Sequence, residues 1–205
     1  AVALRAGADK VSVNSAAVAN PELLTEAAAR FGAQCVVVSI DAKREGESWR
    51  VFTHGGSRRT ELNAIEWAAI CAARGAGEIL LTSIDRDGSR TGYDIEFTRR
   101  VAACVSVPVV ASGGAGRVGD IIDVLQNGAA DAALVAGIVH DGCCTVADIK
   151  LGMVNAGLSV RAAGCQRTPD CCARPWPTQP AWRGPRRGRT STRRWTLRRK
   201  PRGRR

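Results

Sequence analysis

An alternation constrains this chain more than any other feature. Short β-branched runs and amphipathic segments follow one another with short loops between them. Strands are expected at 10–13, 35–40, 79–81, 109–111 and 131–135, and helices at 1–6, 20–32, 61–74, 94–102, 117–127 and 145–155. Asn20-Pro21-Glu22 carries the residues of a helix start, with Asn as cap, Pro in the first position and an acid in the first turn. Between the second strand and the third helix, residues 49–53 read as the return strand of a small hairpin that turns through His54-Gly55-Gly56. Repeated strand–helix units with short connections require a parallel sheet with helices packed outside it.

The polar residues are placed on one side of this pattern. Asn14, Asp41, Thr82, Ser112 and Ala136-Gly137 stand where strands end. The clearest case is the run Ile79-Leu80-Leu81, which reads as a strand buried on both faces. It breaks into Thr82, Ser83, Asp85, Arg86, Asp87, Gly88, Ser89, Arg90, Thr91 and Gly92. A solvated loop with an Asp-Gly turn is one reading. A site at the carboxyl ends of parallel strands is the other, and it accounts for every strand end at once. A doubly wound open sheet would place its Gly-rich turn after the first strand; here that turn follows the fourth. The expected fold is therefore α/β, a partial TIM (β/α)8 barrel, since five units are too few to close eight strands.

Composition bears mainly on where this body ends. The chain has 205 residues and a net charge of +11, yet fifteen of its thirty Lys and Arg and only one of its nineteen acids lie in 161–205. Residues 1–160 are thus mildly acidic and are expected to hold the partial barrel. Residues 161–205 hold six of the eight prolines and three of the five tryptophans without apolar periodicity. They read as a disordered basic tail, or as the product of a shifted reading frame. Arg on phosphates and Trp on bases would suit nucleic acid, a partner the body does not favour. No signal peptide and no apolar run of membrane-spanning length is read in these residues, so secretion and membrane spanning are not expected. Of eight cysteines, Cys35, Cys71 and Cys104 sit in apolar segments as small hydrophobes. The remaining spacings do not make a zinc site. A reduced cytoplasm fits best, with no metal and no cofactor.

Two clusters carry chemistry. Gly113-Gly114-Ala115-Gly116 follows a strand and precedes a helix, so its backbone can approach an anion beside a helix start with free N–H groups. With Ala136-Gly137 after the next strand, this fits a phosphate site; a tight turn with packing glycines is the alternative. Asp41, at the mouth of an apolar strand, suits proton transfer, with Lys43 or Arg44 as ion-pair partners in a purely structural reading. Asp85 and Asp87 are further candidates. Lys10 and Glu78 fall at the opposite strand ends, where barrel residues serve stability or contacts.

The segments GADKVSVNSAAVANPELL, CVVVSIDAKR, VFTHGG, GAGEILLTSIDRDGSRTGYD, VPVVASGGAG and GAADAALVAGIVH together resemble the cyclase subunits of imidazole glycerol phosphate synthase, of histidine biosynthesis. The sister phosphoribosylformimino isomerases share the barrel and the phosphate sites, but typically lack the IDAKR and LLTSIDRDG blocks in this form. The resemblance implies a lyase-cyclase. It joins ammonia from a glutaminase partner to a bis-phosphorylated aminoimidazole carboxamide ribonucleotide, releasing imidazole glycerol phosphate and aminoimidazole carboxamide ribotide. By the same resemblance Asp41 is one of two catalytic aspartates. Asn14 and Ser15 lie near one substrate phosphate, and Ser112, Gly113, Gly114, Ala136 and Gly137 near the other. Thr82, Asp87 and Gly88 contact substrate. Lys10 and Glu78 belong to a charged gate for ammonia, and Asp9 to the glutaminase contact. The strands correspond to the family's fourth to eighth, and the first catalytic Asp lies on a strand absent here. An inactive fragment, or a phosphate-binding half-barrel with a nucleic-acid-binding tail, are the competing expectations.

Overall fold

The computed structural model describes residues 2–161; the expectations for the basic tail from residue 162 onward lie outside the described residues. Five parallel strands form the body of a sheet in the order β1 (Val11–Val13), β2 (Val36–Glu45), β5 (Glu78–Ser83), β6 (Val109–Ser112) and β7 (Ala132–Ala133). Two further strands, β3 (Ser48–Thr53) and β4 (Arg58–Asn63), continue antiparallel from the upper half of β2. Helices α3 (Glu22–Phe31), α4 (Ala64–Ala73), α5 (Ile95–Cys104), α6 (Val118–Gln126) and α8 (Val146–Asn155) connect or follow the strands, with short α1 (Val2–Arg5), α2 (Ser15–Ala19) and α7 (Gly137–His140) at turns. This is an arc of a (β/α)8 barrel, α/β as the alternation requires. Among the described residues no helix is long and apolar enough to cross a membrane.

The register separates the two faces of the sheet. Val38 pairs with Ile79 and Ile79 with Val109. With Val36, Ile40, Leu81 and Ala111 they make a helix-facing surface that is almost completely buried. Leu24, Trp67, Ala68, Cys71, Phe97 and Val101 cover that surface. A second cluster, around Ile121, Val124, Ile138 and Ile149, closes the β7 end. Burial of this apolar surface is the main force holding the arc together.

The other face differs from the expectation for residues 79–81. Instead of burial on both sides, β5 alternates: Ile79, Leu81 and Ser83 are buried, whereas Glu78, Leu80 and Thr82 are half-buried. The second set lies on the concave face, which in a barrel looks inward, and the strand carries the period of two that such a face requires.

Three elements escape the periodicity. The stretch from residue 58 to 63, in part read as helix from 61, is β4. Arg59 donates to both carboxylate oxygens of Glu45 at 2.7 and 2.8 Å, and Thr60 Oγ1 donates to Val51 O at 2.8 Å. These cross-strand bonds hold Glu61 and Leu62 extended, and α4 starts only after Asn63. The Asn63 side chain caps α4 by accepting from Ile65 N at 2.9 Å. β2 likewise does not end at Asp41 but continues to Glu45 as one side of the arm. Helix α2 was not expected; it occupies the link between β1 and α3. Asp94 caps α5 by accepting from Phe97 N at 3.1 Å.

Candidate active site

Three cross-strand rows run over the concave face. At the amino ends of the strands, Ser12 pairs with Val37 and Val37 with Glu78. In the middle, Ser39, Leu80 and Val110 form a row, and at the carboxyl ends Asp41, Thr82 and Ser112 form the last. Residues far apart in the chain thus meet on one line because the parallel register sets them side by side. The sheet also separates two chemistries. The carboxyl row is carboxylate and hydroxyl. At the amino end, Lys10 and Glu78 form a half-exposed ion pair. Asp9 is exposed just before β1.

Asp41 is half-buried and held from two sides. Asn14 Nδ2 donates to Asp41 Oδ2 at 2.8 Å and to Phe52 O at 3.2 Å, and Ser39 Oγ lies 3.3 Å from Asp41 Oδ1. Both amide hydrogens of Asn14 are therefore used within the protein, and its Oδ1 is buried without a partner. Asn14 thereby ties Asp41 to the backbone of β3. Ser15 Oγ accepts from His54 N at 2.9 Å, which ties α2 to the turn of the arm, and its own hydroxyl hydrogen remains available. Neither Lys43 nor Arg44 is seen to pair with Asp41: Arg44 reaches Glu96 at 3.0 Å, and Lys43 is exposed.

Asp85 does not join this group. Its carboxylate accepts from Arg44 N at 2.7 Å and stitches the loop after β5 to the arm. Asp87 takes the better position, lining a pocket with Asp41, Gly55, Gly56 and Thr82. It also lines a second, adjoining pocket of about 180 Å³, where it meets Gly88, Ser112, Gly113, Gly114, Ala136 and Gly137. All of the residues read as the second phosphate site, with Asp87 and Gly88, come together there.

The glycines of this pocket are set first by backbone contact. A Cβ on Gly114 would lie 2.2 Å from Gly92 O, and one on Gly113 2.8 Å from Ser83 O. Gly92 N donates to Gly114 O at 2.8 Å. The loop after β6 therefore packs directly on the loop after β5. The approach to α6 is bound by its own carboxylate. Gly116 N and Arg117 N, the two groups just before the helix, both donate to Asp120 Oδ2, at 2.8 and 3.0 Å, while the N–H groups of Val118 and Gly119 in its first turn are not bound by that carboxylate.

Arg90 is a residue that sequence reasoning passed over. It lines the glycine pocket as its one cationic side chain and is paired to Asp141 at the end of α7. Its sequence signal was only a basic residue inside the polar run after β5. Asp141 lies fifty-one residues further on, and nothing local links the two.

With the strand ends and the pocket in place, comparison with known proteins is decisive. The family model described as "Histidine biosynthesis protein" matches residues 1–145. The chain belongs to this family. Family members similar to it include the imidazole glycerol phosphate synthase subunit HisF of Myxococcus xanthus, 65% identical over 160 residues, covering 78% of this chain and 63% of the relative. A protein of the same name from Dehalococcoides mccartyi is 56% identical over 158 residues, covering 77% of this chain and 62% of the relative. The chain thus spans less than two thirds of the length of these relatives.

Proposed function

We propose that the concave face is the substrate site of an imidazole glycerol phosphate synthase cyclase. Asp41 serves as an acid–base group of ring closure, the glycine pocket takes one substrate phosphate, and the Lys10–Glu78 end faces the ammonia supply. The row Asp41–Thr82–Ser112 carries this reading, because it sets a proton-transfer group, a hydroxyl and the phosphate pocket along one line. Cyclisation needs a proton removed from the attacking amine and another delivered to a departing oxygen. A carboxylate fixed by Asn14 and open toward Thr82 and Asp87 is built for such transfers. Asp87, at the boundary of the two pockets, is placed against the sugar hydroxyls between the reacting centre and the phosphate.

The glutaminase and its ammonia belong to the opposite end. Glu78 and Thr82 lie on the same face of β5, so one strand spans the distance from ion pair to reaction site. Asp9 and Lys10 would meet the glutaminase there, in a cytoplasmic complex. The names of the relatives favour the cyclase over the sister isomerase. The experiment is a chimera in which the matched segment replaces its counterpart in the Myxococcus xanthus relative. It should restore growth without histidine to a strain lacking its own cyclase. Failure to do so by a stably expressed chimera, where the intact relative succeeds, would refute the reading.

A further inference from the structure

The glycine pocket poses a charge problem. A phosphate dianion placed there meets Asp87 on one side, and the N–H groups of Gly116 and Arg117 that lead into α6 are already bound by Asp120. Small residues and backbone dipoles alone would have to offset two negative charges beside a carboxylate. A cation is needed, and the structure supplies one in Arg90.

We propose that Arg90 is a phosphate-binding residue of this site, and that Asp141 holds its guanidinium over the pocket until the ligand takes Asp141's place. Three observations carry this. First, Arg90 lines the pocket, and a Cβ on Gly137 would lie 3.7 Å from its Nη2, so the guanidinium sits beside the exit of β7. Second, its backbone is held in the left-handed region at φ +57, a conformation that costs a non-glycine residue energy and persists only where the surroundings impose it. The loop after β6 imposes it: a Cβ on Gly116 would lie 2.2 Å from Arg90 O. Third, the pairing with Asp141 is half-exposed on both sides, at 49% and 52%. Such a pair is weakly held. A phosphate offers the same fork of acceptors with greater charge, and a guanidinium can bond it through two parallel N–H groups. Exchange of Asp141 for phosphate keeps the guanidinium paired throughout.

This assignment rests on the reading of the pocket as a phosphate site, and the test separates the two. Inorganic phosphate is titrated into the full chain while the amide resonances of Gly113 and Gly114 are followed. Arg90→Gln is expected to weaken binding about tenfold or more, and Arg90→Lys to lie between Gln and wild type. Asp141→Asn, which frees the guanidinium, is expected to tighten binding up to about fivefold, with most of that gain lost when Arg90→Gln is added. Ala136→Asp, which brings a carboxylate into the pocket, should abolish binding whatever Arg90 does. If Arg90→Gln folds and binds phosphate as tightly as wild type while Ala136→Asp does not bind, the Arg90 assignment is wrong and the pocket stands. If Ala136→Asp leaves binding unchanged, the pocket itself is not the phosphate site.

Discussion

At Gly114 a single hydrogen decides whether two loops can meet. Its φ is +109, and any Cβ would press on Gly92 O. Gly114→Ala is expected to cost about 3 kcal/mol or more, from backbone strain and displaced backbone together. Gly46→Ala, at φ +62 with open space around it, should cost only about 1 kcal/mol. Urea unfolding of the two variants checks the contrast. Cys71 gives a second prediction. It has no exposed surface, and burial pushes its thiol up from 9.0 to about 12. A group whose folded-state value is raised contributes stability that is complete below its unfolded value and is lost as pH climbs toward the folded one. Stability should therefore fall between pH 9 and 12, by at most about 4 kcal/mol from this group. Tyr93, raised by burial and by the charge of Asp120, acts in the same direction. Over pH 8–10.5 the urea midpoint of Cys71→Ala should fall less than that of the wild type; equal slopes would contradict this. The sequence shows Cys71 in an apolar segment and so anticipates its burial. It gave the same reading for Cys104, which the structure exposes, because position along a helix, not local composition, sets which side faces the sheet.

At the scale of elements, the antiparallel arm depends on one aromatic stack and one carboxylate. Trp49 on β3 is fully buried and stacks on Phe97 of α5 with ring centroids 5.0 Å apart, flanked by Arg44 and Arg100. Asp94 joins the same elements, accepting from Trp49 Nε1 at 3.1 Å while capping α5. Asp94→Ala removes a helix cap and leaves a buried indole N–H without its partner. A loss of about 2–4 kcal/mol is expected, with a shift in tryptophan fluorescence as the indole environment changes. A cost under about 1 kcal/mol would show that the cap alone matters. Capping was readable at Asp94, because an acid before an apolar-periodic run has a local cause. The arm was only half readable. The hairpin return showed in the alternation of residues 49–53, but β4 carries charges on both faces and is made extended by partners outside its own segment. Those partners come from β2 and β3, and no window on 58–63 contains them.

For the whole molecule, the parallel register converts chain order into a chemical gradient across the sheet. Residues one strand-length apart, such as Glu78 and Thr82, lie at opposite ends, whereas Asp41, Thr82 and Ser112 share a row. The partial barrel and most of its strand-end residues were legible because strand ends are marked by abrupt polarity changes. The relation of Arg90 to Asp141 and the self-capping of α6 by Asp120 were not. Both depend on the direction of side chains in loops whose geometry is fixed by contacts between loops. The central claim is that Asp41 moves protons, and kcat and KM of the Myxococcus xanthus chimera with ammonium as nitrogen source test it most directly. Asp41→Asn in the chimera should lower kcat about 10²- to 10⁴-fold and leave KM for the bis-phosphorylated substrate nearly unchanged. An unchanged kcat with a raised KM would mean that Asp41 only binds substrate, contradicting the account.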